Sequence, residues 1–470
     1  MAHVTGRAER RVLWSVLTTL LVVGLLAAAG TVAVQAHRAG DLNGLLCDGP
    51  CGPEYIAAPE GLEPAVPVVL GPAAEEIGRV DPVRVSSAVS DALASPALGP
   101  HTGLSVREVG SGEEVIVTNT DAFVPASTTK LMTGFAARAL LDPGLRLRTE
   151  ARLDEGRVVL VGGGDPYLQG EPSPEPAYGV RADLASLADR TVTALRSRGL
   201  SQVALGHDST LFVGPSASDR WEPSYVPDDI VTPVSALWVD RGVRGGVRDD
   251  DPAAFAATRF AELLTERGIT VTSVEPVALG AGSSALAAVG SAPLAQILER
   301  MELASDNEAA EVILRHVAIA AGEDASFVGG ATAVRRTLAA AGLDVSDLQT
   351  YDGSGLSRAN RATPSMLSDL VARASADPAT AALLTDLPVA GFSGTLDDRF
   401  GPVPVARGLV RAKTGTLTGV HSLAGTVTTA DGAVLAFAMM VDGTEAVPGL
   451  ETQAAVDAVV AALAGCTCVR

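Results

Sequence analysis

Pro125-Ala126-Ser127-Thr128-Thr129-Lys130-Leu131-Met132-Thr133-Gly134-Phe135-Ala136 decides how this chain is read. Leu131, Met132, Phe135, Ala136 and Leu140 recur three and four apart, so residues 127–141 are expected to form a helix with Ser127 at its N-terminus. Positions three apart on a helix share a face, which puts the Lys130 amine within reach of the Ser127 hydroxyl. A serine hydroxyl is a weak nucleophile that needs an adjacent base, and a lysine can serve once it is neutral. Free N–H groups at a helix N-terminus also suit a developing oxyanion.

Composition points to the same residue. The 470 residues include 35 Lys and Arg together, of which only Lys130 and Lys413 are lysines. Arginine keeps its proton in a protein, whereas a buried lysine can lower its pKa and act as a base. Lys413 opens Lys413-Thr414-Gly415-Thr416 on an expected strand, residues 409–417, and Ser305-Asp306-Asn307 stands at a turn among helical stretches. A fold that brought Lys413 close would let its charge depress the Lys130 pKa. The backbone of Thr416 would then supply a second oxyanion donor.

Outward from these motifs, the length suits two or three domains. Residues 104–109 and 114–118 alternate as a hairpin around Gly110-Ser111-Gly112. From 146 to 290 the texture changes to short strands and Gly-rich turns, with helical pieces at 181–198 and 253–267. Helices are expected again from 293 to 322, at 327–342 and at 364–387. Late strands at 409–417, 422–429 and 433–441 precede a closing helix at 450–464, with Ala430-Asp431-Gly432 as a hairpin turn. No internal repeat is present.

Arg7, Arg10 and Arg11 precede an uncharged apolar run, residues 12–34, long enough to span a bilayer. The positive flank places the rest of the chain outside the cell. We expect residues 1–38 to be a cytoplasmic stub with an uncleaved membrane anchor, in preference to a cleaved signal, and 39–81 to be a Pro/Gly/Ala-rich linker. Cys47, Cys51, Cys466 and Cys468 suit disulfides in an oxidising compartment. Cross-pairing of the two chain ends is expected, because residues two apart rarely meet disulfide geometry. Zinc is the alternative, weakened by the lack of histidine beside either pair. The net charge of −20 argues against nucleic acid. No cofactor is implied.

Ser127-x-x-Lys130, Ser305-x-Asn307 and Lys413-Thr414-Gly415, in this order, match the motif trio of penicillin-binding proteins and class A β-lactamases. The chain resembles the low-molecular-weight class C penicillin-binding proteins, the D-alanyl-D-alanine carboxypeptidase/endopeptidase family, over residues 82 to 465. Ser127 and Ser305 lie 178 positions apart, and the stretch between them holds a domain-sized insertion like that family's. Gly162-Gly163-Gly164-Asp165-Pro166, Ser235-Ala236-Leu237 and Asp352-Gly353-Ser354-Gly355-Leu356-Ser357-Arg358 also look like family strings.

The resemblance implies an α/β (α+β) β-lactamase/transpeptidase-like fold: an antiparallel sheet flanked by helices. Its catalytic domain would be residues 82–145 and 291–470, and its insertion 146–290. It implies a serine DD-peptidase acting on peptidoglycan stem peptides ending in D-Ala-D-Ala. Ser127 would be acylated, Lys130 would be the general base and Ser305 would relay a proton to the leaving amine. Asn307 would hold the substrate amide, Lys413 and Thr414 would bind the terminal carboxylate, Gly415 belongs to the same binding strand, and Thr416 would complete the oxyanion hole. β-Lactams would acylate Ser127 and stay attached. Asp352, Ser354 and Arg358 are expected to form a structural loop, and His421 to be structural.

Two rival readings stand. A β-lactamase would need a Glu downstream of Ser305-x-Asn307 to activate water, and Glu308, Glu311 and Glu323 all come too early for a separate loop. A non-catalytic cell-wall binding protein would not need the intact Ser127, Lys130, Ser305, Asn307 and Lys413.

Overall fold

The computed structural model describes residues 78–173 and 181–470. The apolar run 12–34, Cys47, Cys51 and nearly all of the expected linker lie outside the described residues. Among the described residues, no helix is long and apolar enough to cross a membrane.

Helix α1 (Pro82–Leu93) starts at Asp81, whose carboxylate accepts the Val83 N–H at 2.9 Å, and has proline at its first position. Strands β1 (His101–Glu108) and β2 (Glu114–Val117) form the expected hairpin, followed by α2 (Thr129–Leu140). Next come β3 (Arg148–Asp154), β4 (Arg157–Val161), α3 (Leu184–Ser197) and β5 (Gln202–Asp208). A two-residue ribbon, β6 (Val243–Arg244) and β7 (Val247–Arg248), precedes α4 (Pro252–Glu266), β8 (Thr270–Pro276) and β9 (Ser284–Gly290). The chain then runs through α5 (Leu294–Ala304), α6 (Asn307–Ala320), α7 (Phe327–Ala340), α8 (Pro364–Ala376) and the short α9 (Ala382–Thr385). It closes with β10 (Val410–Leu417), β11 (Val420–Thr428), β12 (Val434–Asp442) and α10 (Gly449–Ala464).

The first sheet has the order β10-β11-β12-β1-β2 and is antiparallel throughout. The first strand of the chain therefore pairs with the last, Leu104 opposite Met439. Both faces are covered, and the two-residue period of β12 sorts its side chains between two cores. Ala436, Ala438 and Met440 pack with Leu131 and Phe135 of α2, Ile313 of α6 and Leu370 of α8. Leu435, Phe437, Met439 and Val441 pack with Val85 and Val89 of α1 and Val456, Val459 and Val460 of α10.

Residues 148–290 build a second sheet, ordered β8-β5-β4-β3-β9. It is mixed: β4–β5 and β5–β8 are parallel, and the helices α3 and α4 make the crossovers that parallel pairing requires. Leu160, Leu187, Leu205 and Phe260 belong to its own core.

Three local expectations need correction. Ser127 does not lie in the α-helix; it sits in a 3-10 turn, Ala126–Thr128, that feeds α2. The helix expected over 364–387 stops at Ala376, because proline at 378 disfavours helical backbone at Asp377, which is extended. Finally, Cys466 and Cys468 pair with each other, not with the other chain end. The bend around Thr467 brings their Cα atoms to 5.3 Å, inside the range a disulfide spans.

Candidate active site

The turn carrying Ser127 is held from several sides. Pro125 O accepts from Thr128 N (3.2 Å), Thr128 Oγ1 (2.7 Å) and Ser422 Oγ of β11 (2.6 Å). Ala126 lies in the left-handed region at φ 47°, a conformation that costs an alanine energy and persists because its surroundings impose it. Ser127 is half-buried, whereas Ala126, Thr128, Thr129 and Lys130 are buried. Ser127 is thus the residue of the turn offered to solvent.

Two glycines allow the neighbouring segments to approach. A Cβ on Gly415 of β10 would lie 2.6 Å from Pro125 O and 2.1 Å from Ser422 Oγ. A Cβ on Gly355, at φ 86°, would lie 1.8 Å from Ala126 O. We expect Gly355→Ala to destabilise the protein by about 2 kcal/mol or more, since it combines positive-φ strain with a backbone clash. Folded Gly355→Ala should also react with an acylating probe at Ser127 at least about tenfold more slowly, because the turn must shift to make room. Thermal unfolding and probe kinetics on one preparation check both.

The Lys130 amine donates to Ser127 Oγ at 3.0 Å, Asn307 Oδ1 at 2.8 Å and the Ser354 carbonyl at 2.7 Å. An ammonium has three N–H bonds, and these acceptors take all three. On losing a proton, the amine keeps two N–H bonds for Asn307 and Ser354 and turns its lone pair to the Ser127 hydroxyl. The pairing also orients Asn307, leaving its NH₂ available to a ligand carbonyl.

Ser305 sits between α5 and α6 at φ 54°, while Asp306 caps α6 by accepting from Ala309 N at 3.1 Å. The Lys413 amine donates to Ser305 Oγ at 2.8 Å and to the Thr414 carbonyl at 3.0 Å. Thr414 Oγ1 is 2.9 Å from Thr395 Oγ1. Thr416 is exposed on β10, an end strand of the sheet, opposite the buried His421. All eight residues singled out in the sequence therefore converge on one place, where α2, the α5–α6 turn and β10 meet.

The electrostatics differ from expectation. Burial, not a neighbouring cation, is the main cause pulling Lys130 down to about 8, while Glu302, Glu311, Asp352 and Asp306 oppose it. Lys413 is brought lower, to about 7, first by burial and then by Lys130. The charge of Lys413 is thus not what tunes Lys130. The carboxylates around Lys130 favour keeping the proton there, while burial makes both amines easier to neutralise than a free lysine.

The Asp352–Arg358 segment is a densely hydrogen-bonded loop beside Lys130. Asp352 accepts from Gly355 N (3.0 Å), Ser357 N (2.6 Å), Asn360 Nδ2 (2.7 Å) and Trp221 Nε1 (2.8 Å). Glu311, paired with Arg315, accepts from Gly353 N and Ser354 N. These bonds aim the Ser354 carbonyl at Lys130. Arg358 bridges Glu222 at 3.0 Å and the Thr418 carbonyl at 2.8 Å.

Glu308 pairs with Arg241 and Arg248, Glu311 holds the loop and Glu323 pairs with Arg336. Each glutamate weighed for the β-lactamase reading is therefore engaged in structure. Among the described residues, no group of three or more His, Cys, Asp or Glu is gathered to hold a metal ion. Sequence reasoning missed Thr395, the Ser354 carbonyl and Glu302. Only Glu302 carried a usable signal: it stands three residues before Ser305 on the same helical face.

The model of the D-Ala-D-Ala carboxypeptidase 3 (S13) family matches residues 85–245 and 244–463. A carboxypeptidase of Mycobacterium tuberculosis is 35% identical over 404 residues, covering 82% of this chain and 85% of its own. Carboxypeptidase DacB of Mycolicibacterium smegmatis is 34% identical over 472 residues, covering 96% and 98%. Penicillin binding protein 4 of Haemophilus influenzae has a similar solved structure, with TM-score 0.65 and 22% identity over 76% of this chain and 93% of that one, a likeness of fold. The serine-and-lysine site and the nearly full-length family match agree: this chain belongs to the D-Ala-D-Ala carboxypeptidase 3 (S13) family and is a serine DD-peptidase.

Proposed function

We propose that Ser127 is the acyl acceptor for the penultimate D-alanine carbonyl of a peptidoglycan stem peptide. Neutral Lys130 takes the hydroxyl proton as Ser127 Oγ attacks the carbonyl carbon. The oxyanion forms against backbone N–H groups of Ser127 and Thr416. As the C–N bond breaks, Ser305 passes a proton to the leaving amine, and Lys413 stands beside Ser305 to replenish it. Asn307 holds the substrate amide. Lys413 and Thr414, the latter braced by Thr395, receive the terminal carboxylate, and Gly415 lets that strand approach Ser127. Water then cleaves the ester and regenerates Ser127. The same steps remove a terminal D-alanine or cut a D-alanyl cross-link, depending on which amine leaves. β-Lactams enter the first half of this cycle and remain attached.

The observation that carries the reading is the threefold coordination of the Lys130 amine, which leaves its lone pair nowhere to point but Ser127 once it is neutral. We further read residues 82–145 and 291–470 as one catalytic domain and 146–290 as an insertion that reaches the site through Trp221 and Glu222. Residues 12–34 would anchor the enzyme in the membrane with Arg7, Arg10 and Arg11 inside, which puts the site where peptidoglycan is.

Mass spectrometry tests this. Full-length protein mixed with benzylpenicillin should gain one adduct on the peptide containing Ser127. A defined pentapeptide muropeptide should lose its terminal D-alanine. A folded sample without an adduct would favour the non-catalytic wall-binding reading, and steady turnover of a chromogenic cephalosporin would favour a β-lactamase.

A further inference from the structure

Glu302 is fully buried, and neither carboxylate oxygen has a hydrogen-bond partner. A buried, unpartnered carboxylate is costly and calls for a reason. Its position supplies one. Glu302 lies one helical turn before Ser305 on α5, and it packs against Gly134, one turn after Lys130 on α2. A Cβ on Gly134 would come 2.6 Å from Glu302 Oε1, so the missing side chain makes the space the carboxylate fills. The carboxylate therefore stands behind both catalytic motifs.

The charges facing it come from several elements. Lys130 and Arg138 lie on α2, and Lys413 on β10. Glu299 of its own helix acts on Arg138, and Asp386, just after α9, forms an ion pair with Arg138. Asp306, Glu311 and Asp352 act on Lys130 from the other side. Burial raises the Glu302 pKa, and Lys413, Arg138 and Lys130 oppose that rise, in that order. Arg138 is shared with Asp386, whereas neither Lys130 nor Lys413 has an ion-pair partner among the described residues, so the two lysines depend on Glu302 more than Arg138 does.

We propose that Glu302 is the internal counter-charge of the Lys130–Lys413 pair, a positioning residue that keeps one proton shared between the two lysines. The proposal rests on the acyl-enzyme reading above. A site with both lysines protonated has no base, and one with neither protonated has no cation for a substrate carboxylate. A single carboxylate acting through space on both, and committed to no hydrogen-bond donor, holds the pair at the intermediate state.

Removing a nearby negative charge lowers the pKa of a lysine, by about one unit or more at close range. In Glu302→Gln, Lys130 should therefore be neutral at lower pH, so the acid limb of the β-lactam acylation rate should move down by about one pH unit or more. The cation should be lost at lower pH as well, raising the KM for a carboxylate-bearing substrate near neutrality. Glu302→Asp, which keeps the charge, should restore both limbs. Because the chain has two lysines only, ¹³C-lysine labelling of the full-length protein gives two resonances that follow them directly. Both midpoints should fall in Glu302→Gln. Unchanged midpoints and a superimposable pH profile in a folded variant overturn the proposal. If Glu302→Gln does not fold, the wild-type titration decides: the two lysines should lose their protons in two separate steps, and a single step that neutralises both together overturns the proposal. Failure of the wild type itself to acquire an adduct at Ser127 would instead sink the acyl-enzyme reading.

Discussion

Ser127→Ala should fold like the parent protein and lose acyl-enzyme formation and peptidase turnover by at least about 10⁴-fold. The substitution removes one half-buried oxygen. It withdraws one of three acceptors from the Lys130 amine and leaves Asn307 Oδ1 and the Ser354 carbonyl in place. The stability change should therefore stay within about 1 kcal/mol, the net worth of one hydrogen bond. Activity has no such reserve. No other hydroxyl accepts from Lys130, and Ser305 is tied to Lys413. Intact-mass measurement after benzylpenicillin, turnover of a D-Ala-D-Ala peptide and a thermal melt give the three readouts. An adduct that persists on another residue would move the nucleophile elsewhere.

Lys130→Met should cost about 10²–10⁴ in acylation rate, the range of a lost general base. Methionine keeps a flexible apolar stem of similar reach, so packing changes little. Two buried acceptors, Asn307 Oδ1 and the Ser354 carbonyl, lose their donor at about 1–3 kcal/mol each, partly offset because a buried charge is also removed. Lys130→Arg should not rescue the rate, since a guanidinium stays protonated and has no lone pair to offer. The pH dependence separates loss of a base from loss of shape. Burial pulls Lys130 down to about 8, so its neutral fraction grows as pH rises toward that value. Wild-type acylation should accordingly climb with pH below it. Lys130→Met should show a flat profile there. A retained slope would assign the base to another group, Lys413 first.

Much of this molecule is legible in its residues. The hairpin, α6, α10 and the late strands follow from apolar periodicity, which acts within a few residues. The eight site residues were named from three short strings. The misreadings are also local: the bend at Thr467 that joins Cys466 to Cys468, and the proline at 378 that ends α8.

By itself, then, the sequence singled out Ser127 and Lys130 as a candidate nucleophile and base within reach of each other, because a spacing of three in a helical turn is a short-range fact. It determined the two lysines as the residues able to change charge, because arginine is not. Only the tertiary structure decided how those charges are set. Lys413 reaches Ser305 across 108 positions and Lys130 reaches Asn307 across 177, through a sheet whose first strand pairs with its last. The pKa of a lysine answers to burial and to carboxylates such as Glu302 and Glu311, and neither quantity exists until distant segments pack and exclude water.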